Sequence, residues 1–183
     1  MKVLFLDIDG VLNSRKTWGL YGNSCPMAKD QKFNLDPTTI RFLQLLHAKG
    51  IEIVVSSTWR LHKKLGNFKD VFGFAVKGIT CSYPFKDSKR GDEIAVYLKE
   101  HPEIESYCIV DDDTDVLDDQ MPNFVRTSYE DGMSYKHMVK ICEVLGFSFF
   151  DLLPREEKEV EGDFSLEDLA LVQNANEAFG KNI

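Results

Sequence analysis

The chain opens with Lys2-Val3-Leu4-Phe5-Leu6-Asp7-Ile8-Asp9-Gly10, an apolar run that ends in two aspartates and a glycine. A short apolar run without polar alternation is typical of a strand that is buried on both faces of a parallel sheet. We therefore predict a first strand over residues 2–8. A strand buried on both faces must lie inside a sheet with helices on both sides, so this segment decides the fold class. Its carboxyl end carries Asp7 and Asp9.

Four further strand predictions alternate with helical segments along the chain. The predicted strands cover residues 51–55, a weaker one within 73–80, 106–110 and 124–127. The predicted helices cover residues 36–50, 59 to about 65, 88 to about 100 and 134 to about 145. Strands that alternate with helices indicate a Rossmann-like α/β fold, a parallel sheet with helices on both faces and right-handed crossovers.

The pattern predicts one domain over residues 1–153. Residues 13–34 have no clean period and several turn formers, so we predict a long loop or small flap there. Neither this segment nor residues 57–90 can hold a full cap domain, which predicts a minimal cap or none. Residues 154–183 begin with a run of charges, and we predict a charged linker and then a short helix from Ser165.

Composition narrows the functional classes. The 183 residues are 43% hydrophobic and 28% charged, as in ordinary globular proteins. The net charge of −8 argues against sequence-independent binding to nucleic acid, which relies on a basic surface. No apolar run reaches the roughly 20 residues of a membrane span, and the four cysteines are scattered. We predict a cytoplasmic protein without a membrane partner; its oligomeric state is left open.

Side chains with oxygen atoms follow three of the predicted strands. They are Asp7 and Asp9, Ser56 and Ser57, and Asp111 and Asp112. Ligands of open parallel sheets bind outside the carboxyl ends of the strands. If the three strands are neighbours, all of these side chains lie in one crevice.

Such a crevice suits phosphoryl transfer. Neighbouring carboxylates repel one another unless a hard cation lies among them, and Mg²⁺ binds a few carboxylates together with water and substrate phosphate. One carboxylate can attack phosphorus, while a second protonates the leaving oxygen and later activates water. The rival prediction is a calcium loop, because Asp111, Asp113 and Asp115 have the spacing of an EF-hand. It fails because the loop lacks glycine at its sixth position and glutamate at its twelfth.

The run Asp7-Ile8-Asp9-Gly10-Val11-Leu12 resembles the first motif of the haloacid dehalogenase (HAD) superfamily of phosphatases. Ser56, a basic residue at a helix start and Asp111-Asp112 follow in the order of the other motifs. The resemblance covers residues 1–146. It is strongest to a small, nearly capless branch, the phosphatase-like domains found with bacterial and phage RNA-repair proteins. The segments that carry it are Ser56-Ser57-Thr58-Trp59-Arg60, Arg90-Gly91-Asp92-Glu93-Ile94 and Asp131-Gly132-Met133-Ser134.

The resemblance implies roles for the residues that match the motifs. Asp7 is the expected nucleophile and a metal ligand. Asp9 is the expected general acid and base, which also touches Mg²⁺ through its backbone carbonyl. An acid at this position distinguishes phosphatases from dehalogenases within the superfamily. Ser56 is expected to bind the phosphoryl group.

The resemblance also implies a cation and the rest of the metal site. Arg90 is expected to balance the charge of the nucleophile and the phosphate, with Lys89 as the alternative; the superfamily usually has lysine there. Asp112 is expected to complete the metal site with support from Asp111, and Asp115 is the alternative ligand.

Contacts to the substrate are predicted less closely. Ser57, Arg60 and the backbone N–H at Gly10 are candidates, although Ser57 also suits a helix cap and Trp59 a packing role. With no cap over the site, the residues expected at its entrance are Arg15, Lys16, Trp18 and Tyr21.

Three functional hypotheses follow. The first is a Mg²⁺-dependent phosphomonoester hydrolase that forms an aspartyl-phosphate and acts on a nucleotide or a nucleic-acid terminal phosphate. The second is a phosphatase of small metabolites or phosphoproteins, which the acidic composition favours slightly. The third is a binding or regulatory protein without turnover. It is disfavoured because the nucleophile, the acid, the serine, the base and the metal ligands are all present.

Overall fold

The computed structural model describes residues 1–21, 35–61, 65–81 and 89–153 of the chain. Residues Met1–Leu153 form one compact unit. Most of the loop predicted at 13–34, and the linker and helix predicted for 154–183, lie outside the described residues.

The sheet is built around the amino-terminal strand. Its strands are β1 Lys2–Leu6, β2 Glu52–Val55, β3 Gly78–Ile79, β4 Ser106–Asp111 and β5 Phe124–Arg126. They lie in the order β3-β2-β1-β4-β5, and every neighbouring pair is parallel. β1 is central and residues 3–6 are fully buried, as the unbroken apolar run predicts. The prediction of a Rossmann-like parallel sheet is confirmed.

Five α-helices lie in the described part of the chain. They are α1 Arg15–Tyr21, α2 Pro37–Ala48, α3 Leu65–Phe72, α4 Arg90–Glu100 and α5 Tyr135–Val144. α2 begins as predicted, because Asp36 Oδ1 accepts a hydrogen bond from the Thr38 N–H at 2.8 Å and Pro37 occupies the first turn. It ends before Gly50, whose φ of +88° favours glycine.

Three segments differ from the sequence prediction. α1 lies where a loop is predicted, because Ser14 and Thr17 cap it reciprocally: Ser14 N–H donates to Thr17 Oγ1 at 2.7 Å and Thr17 N–H to Ser14 Oγ at 3.3 Å. The helix predicted from Trp59 is a 3₁₀ turn over Thr58–Leu61, and α3 follows it. α3 forms because Phe68 and Phe72 are fully buried in the core that α2 shares. The weaker strand predicted within residues 73–80 is reduced to the two residues of β3.

Alternate residues of β1 face two separate cores. Leu4 and Leu6 belong to the larger core, into which α2, α3 and α5 pack. Val3 and Phe5 belong to the smaller core, which α4 covers with Ile94. Helices therefore lie on both faces of the sheet, as predicted. No helix in the described ranges is long and apolar enough to cross a membrane.

Candidate active site

The carboxyl ends of the three central strands, β2, β1 and β4, meet at one edge of the sheet. Leu6 lies in register with the last residue of β2 and with Val110 of β4. The Asp7 N–H donates to the Val110 carbonyl at 3.0 Å, and the Ser56 N–H donates to the Leu6 carbonyl at 2.9 Å. Asp7 therefore lies between Ser56 and Asp111 across three adjacent strands, as the prediction of a shared crevice requires.

An acidic cluster forms at this edge from Asp7, Asp111 and Asp112. Each offers one carboxylate oxygen, and these oxygens lie within 4.8 Å of one another. Burial raises the pKa of all three carboxyls, and the neighbouring charge of Asp111 raises the pKa of Asp7 further. The cluster holds carboxylates where ionisation is unfavourable, so a cation bound among them would relieve their repulsion.

The turn after β1 packs its backbone against the acidic cluster. Gly10 has φ +75°, and a Cβ placed on it would lie 2.3 Å from Cγ of Asp112. Thr127 Oγ1–H donates to the Gly10 carbonyl at 2.8 Å and holds the turn in place. Glycine is required here for both its φ angle and its lack of a side chain. The sequence predicts Gly10 only as a backbone contact to substrate; the packing against Asp112 is an additional role.

Arg90 is the basic residue that reaches the acidic cluster. Its Nη2 lies 3.5 Å from Asp7 Oδ1, and its Nε lies 3.4 Å from Asp111 Oδ2. Its charge counteracts the effect of burial on the pKa of both carboxyls. The alternative, Lys89, is an exposed residue just before α4. The structure therefore brings Arg90 rather than Lys89 to the acids.

The first turn of α4 is bound to the loop that follows β4. Asp115 accepts the Arg90 N–H through Oδ2 at 2.9 Å and the Gly91 N–H through its carbonyl at 3.0 Å. Gln120 Nε2–H donates to the Gly91 carbonyl at 2.8 Å. Asp115, the alternative metal ligand of the sequence prediction, thus caps α4 and is outside the acidic cluster found among the described residues.

A buried ion pair lies behind Arg90. Arg60 Nη2 donates to both carboxylate oxygens of Glu93, at 2.7 and 2.6 Å, and its Nη1 donates to the Ser56 carbonyl at 3.2 Å. Glu93 Oε2 also lies 3.7 Å from Arg90 Nη1. Arg60, a candidate substrate contact from the sequence, has its guanidinium committed to this pair. Glu93 lies between two arginines and orients the one that reaches Asp7.

We expect Glu93→Gln to lower the free energy of unfolding by about 3 kcal/mol, because it leaves the buried Arg60 without its counter-charge. Denaturant unfolding would measure the loss. The matched control is Glu143→Gln, which removes the charge from an exposed pair with Lys140 at 3.1 Å and is expected to cost less than about 1 kcal/mol. Equal effects of the two substitutions would contradict the role assigned to Glu93.

Asp9 is held by two donors that the sequence prediction missed. Asn13 Nδ2–H donates to Asp9 Oδ1 at 2.7 Å, and the indole Nε1–H of Trp59 donates to Asp9 Oδ2 at 2.8 Å. Asn13 in turn accepts the Gly10 N–H through Oδ1 at 3.0 Å. Both oxygens of Asp9 are therefore fixed in direction. The signal in the sequence is the position of Trp59 directly after Ser56-Ser57-Thr58, which favours a packing role for its ring and does not indicate the hydrogen bond to Asp9.

The two serines after β2 differ in their surroundings. A hydrogen bond from the Ser57 side chain to Asp7 counteracts the rise in the pKa of Asp7 that burial causes. Ser56 is fully buried, and its Oγ has no hydrogen-bond partner among the described residues. The structure thus places the Ser57 hydroxyl at the Asp7 carboxylate, whereas the resemblance assigns the phosphoryl contact to Ser56.

Comparison with known protein families identifies the family to which this domain belongs. The model of a family described as the HAD domain in Swiss Army Knife RNA repair proteins matches residues 3–138, more than half of the chain. The chain belongs to this family. The match confirms the superfamily and the RNA-repair-like branch that the sequence motifs predict. No curated protein and no solved structure matches the chain.

HAD domains are typically phosphatases and generally use Mg²⁺, so the family suggests a phosphatase-type hydrolase. The donor set of this HAD domain fits such an ion, because the acidic cluster offers only carboxylate oxygens, which suit hard cations. Asp111 Oδ2 is also buried, and apart from its ion pair with Arg90 it accepts no hydrogen bond from any described residue. Asp7, Asp111 and Asp112 are therefore the residues that would hold the metal.

Proposed function

We propose that the chain is a Mg²⁺-dependent phosphomonoester hydrolase that acts through an aspartyl-phosphate on Asp7. The observation that carries the proposal is the acidic cluster of Asp7, Asp111 and Asp112, with a fourth carboxylate, Asp9, oriented two residues after Asp7. Bound among the cluster, Mg²⁺ would supply positive charge to the phosphoryl oxygens and to the attacking carboxylate.

Asp7 and Asp9 then carry out two steps, transfer of the phosphoryl group to Asp7 and hydrolysis of the aspartyl-phosphate. In the first step an Asp7 oxygen forms a bond to phosphorus, the bond to the leaving oxygen breaks, and Asp9 gives its proton to that oxygen. In the second step Asp9 takes a proton from water, the water oxygen attacks phosphorus, and the bond to Asp7 breaks. Phosphate leaves and both carboxyls return to their starting states.

The remaining groups stabilise the charge on the transferred phosphoryl group. Arg90, at 3.5 Å from Asp7, supplies a fixed positive charge at the nucleophile. The Ser57 hydroxyl, which hydrogen-bonds Asp7, and the Ser56 hydroxyl, which is buried without a described partner, are the candidate donors. The carbonyl of Gly10 is bound to Thr127, so the turn keeps its shape while the charge moves.

We propose a nucleotide or a nucleic-acid terminal phosphate as the substrate. The family, whose members are HAD domains of RNA repair proteins, supports this class. The net charge of −8 weighs against tight binding along a long nucleic acid and favours recognition confined to an end. We also propose a cytoplasmic location, which agrees with the free thiols of Cys81, Cys108 and Cys142.

The test is hydrolysis of an aryl phosphate with Mg²⁺ and with EDTA, followed by a panel of substrates. The panel holds nucleoside monophosphates, oligonucleotides phosphorylated at either end, sugar phosphates and a phosphopeptide. We expect activity only with the metal, and at least tenfold higher kcat/KM for the nucleotide class. A preference for sugar phosphates or the phosphopeptide would support the second hypothesis. No turnover with any divalent metal would leave a binding protein as the function.

We expect Trp59→Phe to lower kcat/KM on an alkyl phosphate by about tenfold, which corresponds to about 1.4 kcal/mol. Phenylalanine keeps an aromatic ring, although a smaller one, but removes the N–H that orients Asp9, and an alkoxide cannot leave without the proton from Asp9. A p-nitrophenyl phosphate is the internal control, because its phenolate leaves without that proton. An equal loss on both substrates would point to a general disturbance of the site instead of a role in orienting Asp9.

A further inference from the structure

A large cavity adjoins the acidic cluster on the side of β5 and α5. Its volume is about 1020 Å³, and Asp112 lies in its wall. This volume is at the upper end of the range for small-molecule sites and exceeds what a phosphoryl group needs. Since Asp112 also belongs to the acidic cluster, a phosphate ester bound there would extend its alcohol portion into the cavity.

Arg126 brings a second guanidinium to this side of the acidic cluster. It is the last residue of β5, pairs in register with Asp111, and its Nε–H donates to the Asp112 carbonyl at 3.2 Å. The residue is exposed and lines the cavity. Arg90 reaches Asp7 from the first turn of α4, whereas Arg126 reaches Asp112 from the end of β5, so the two arginines contact different acids from different elements. Arg126 is placed to meet a group that lies beyond the transferred phosphoryl group.

The rest of the wall suits a nucleotide. Tyr129 and Tyr135 line the cavity with 51% and 57% of their surface exposed, and exposed aromatic rings are the usual platforms on which bases stack. Lys16 and Lys136 add positive charge, which balances Asp36 and Asp131 in the same wall. Asp112 would be neutralised by a bound metal. The cavity with its metal site loaded therefore favours a ligand that is both aromatic and anionic.

We propose that this cavity binds the leaving-group portion of the substrate and that Arg126 pairs with a second phosphate on it. The inference rests on the proposed function and narrows it. The preferred substrate carries an anionic phosphate one nucleoside away from the one that is removed. That second phosphate belongs either to a free nucleoside bisphosphate or to the phosphodiester backbone at a nucleic-acid end.

Matched substrates test the proposal directly. Phosphate release would be compared for nucleoside 3′- and 5′-monophosphates, the 3′,5′-bisphosphate of the same nucleoside and p-nitrophenyl phosphate. We expect kcat/KM for the bisphosphate to exceed that for the corresponding monophosphate at least tenfold in the wild type. In Arg126→Ala this ratio is expected to fall to about one, with Arg126→Lys intermediate. A dinucleotide with a terminal phosphate is then compared with the free bisphosphate. Higher kcat/KM for the dinucleotide indicates a nucleic-acid end as the substrate, and higher kcat/KM for the bisphosphate indicates a free nucleotide.

The controls separate recognition from general damage. If Arg126 served only to hold Asp112 through its Nε–H bond, Arg126→Ala would lower activity on every substrate alike, including p-nitrophenyl phosphate. The ratio of bisphosphate to monophosphate would then keep its wild-type value. Lys140→Ala, which removes an exposed charge elsewhere on α5, is expected to keep the wild-type ratio. A wild-type ratio near one, or a ratio that Arg126→Ala does not alter, overturns the proposal.

Binding gives a readout that does not depend on turnover. Calorimetric titration of the nucleoside bisphosphate in Mg²⁺ is expected to show at least tenfold weaker binding to Arg126→Ala than to wild type. If the wild type binds the bisphosphate but hydrolyses no aryl phosphate, the proposed function fails and the cavity assignment stands. If the wild type hydrolyses p-nitrophenyl phosphate and binds bisphosphate and monophosphate equally, the cavity assignment fails alone.

Discussion

The substitution Asp7→Asn is expected to reduce turnover of an aryl phosphate by on the order of 10⁴-fold or more, because an amide cannot replace the attacking carboxylate. Asp7 is buried, but asparagine has nearly the same shape as aspartate, so we expect the fold to be retained. Removal of one of three crowded negative charges should instead raise the melting temperature of the metal-free protein. Steady-state rates at saturating Mg²⁺ and thermal unfolding in EDTA would measure both effects.

Asp113→Asn is the matched control for this experiment. Asp113 is an exposed neighbour of the acidic cluster, and its carboxylate accepts the Thr114 N–H at 2.7 Å. We expect its substitution to leave the rate within about twofold of wild type. More than about 1% residual activity in a verified Asp7→Asn preparation would exclude Asp7 as the nucleophile and require another carboxylate in that role.

The substitution Gly10→Ala is expected to lower both metal affinity and kcat/KM by about 10- to 100-fold, the usual effect of displacing a group that supports a metal ligand. An added Cβ would lie 2.3 Å from Cγ of Asp112 at a φ of +75°, so either the turn or the carboxylate must move. Calorimetric titration with Mg²⁺ would report the affinity, and the aryl phosphate assay would report the rate.

Gly19→Ala is the control for the general effect of replacing glycine. Gly19 lies inside α1, and a Cβ there meets no atom within 4 Å. Alanine at that position should stabilise the protein by about 0.5–1 kcal/mol and leave metal binding unchanged. If Gly10→Ala bound Mg²⁺ as tightly as Gly19→Ala does, the close packing of the turn against Asp112 would have no functional importance.

The fold was predictable because the apolar strands are unambiguous in sequence. Buried strands need apolar residues on both faces, and β1 shows this without interruption. The convergence of Asp7 and Asp111 follows from topology alone, since parallel neighbours end at the same edge. Short elements were not predictable in the same way: α3 and the two residues of β3 form through contacts with α2 and β2, which a local pattern does not contain.

The partners of the functional side chains were the least predictable part of the site. Trp59 and Asp9 are 50 residues apart, and Arg60 and Glu93 are 33 apart, so their pairing depends on how the chain folds. The sequence could not decide between Arg90 and Lys89, because adjacent residues at a helix start point in different directions. The register of α4 against the loop after β4 decides this choice in favour of Arg90.

The bonds from Asp115 and Gln120 to the start of α4 have a mechanical consequence. They attach the helix that carries Arg90 to the segment that follows β4, which begins with Asp112 directly after Asp111. A displacement of that segment is therefore expected to move the Arg90 guanidinium with it, so that its distance from the acids changes little. We therefore expect thermal motion to displace Arg90 and the acids together and to change the distances between them less than their common position.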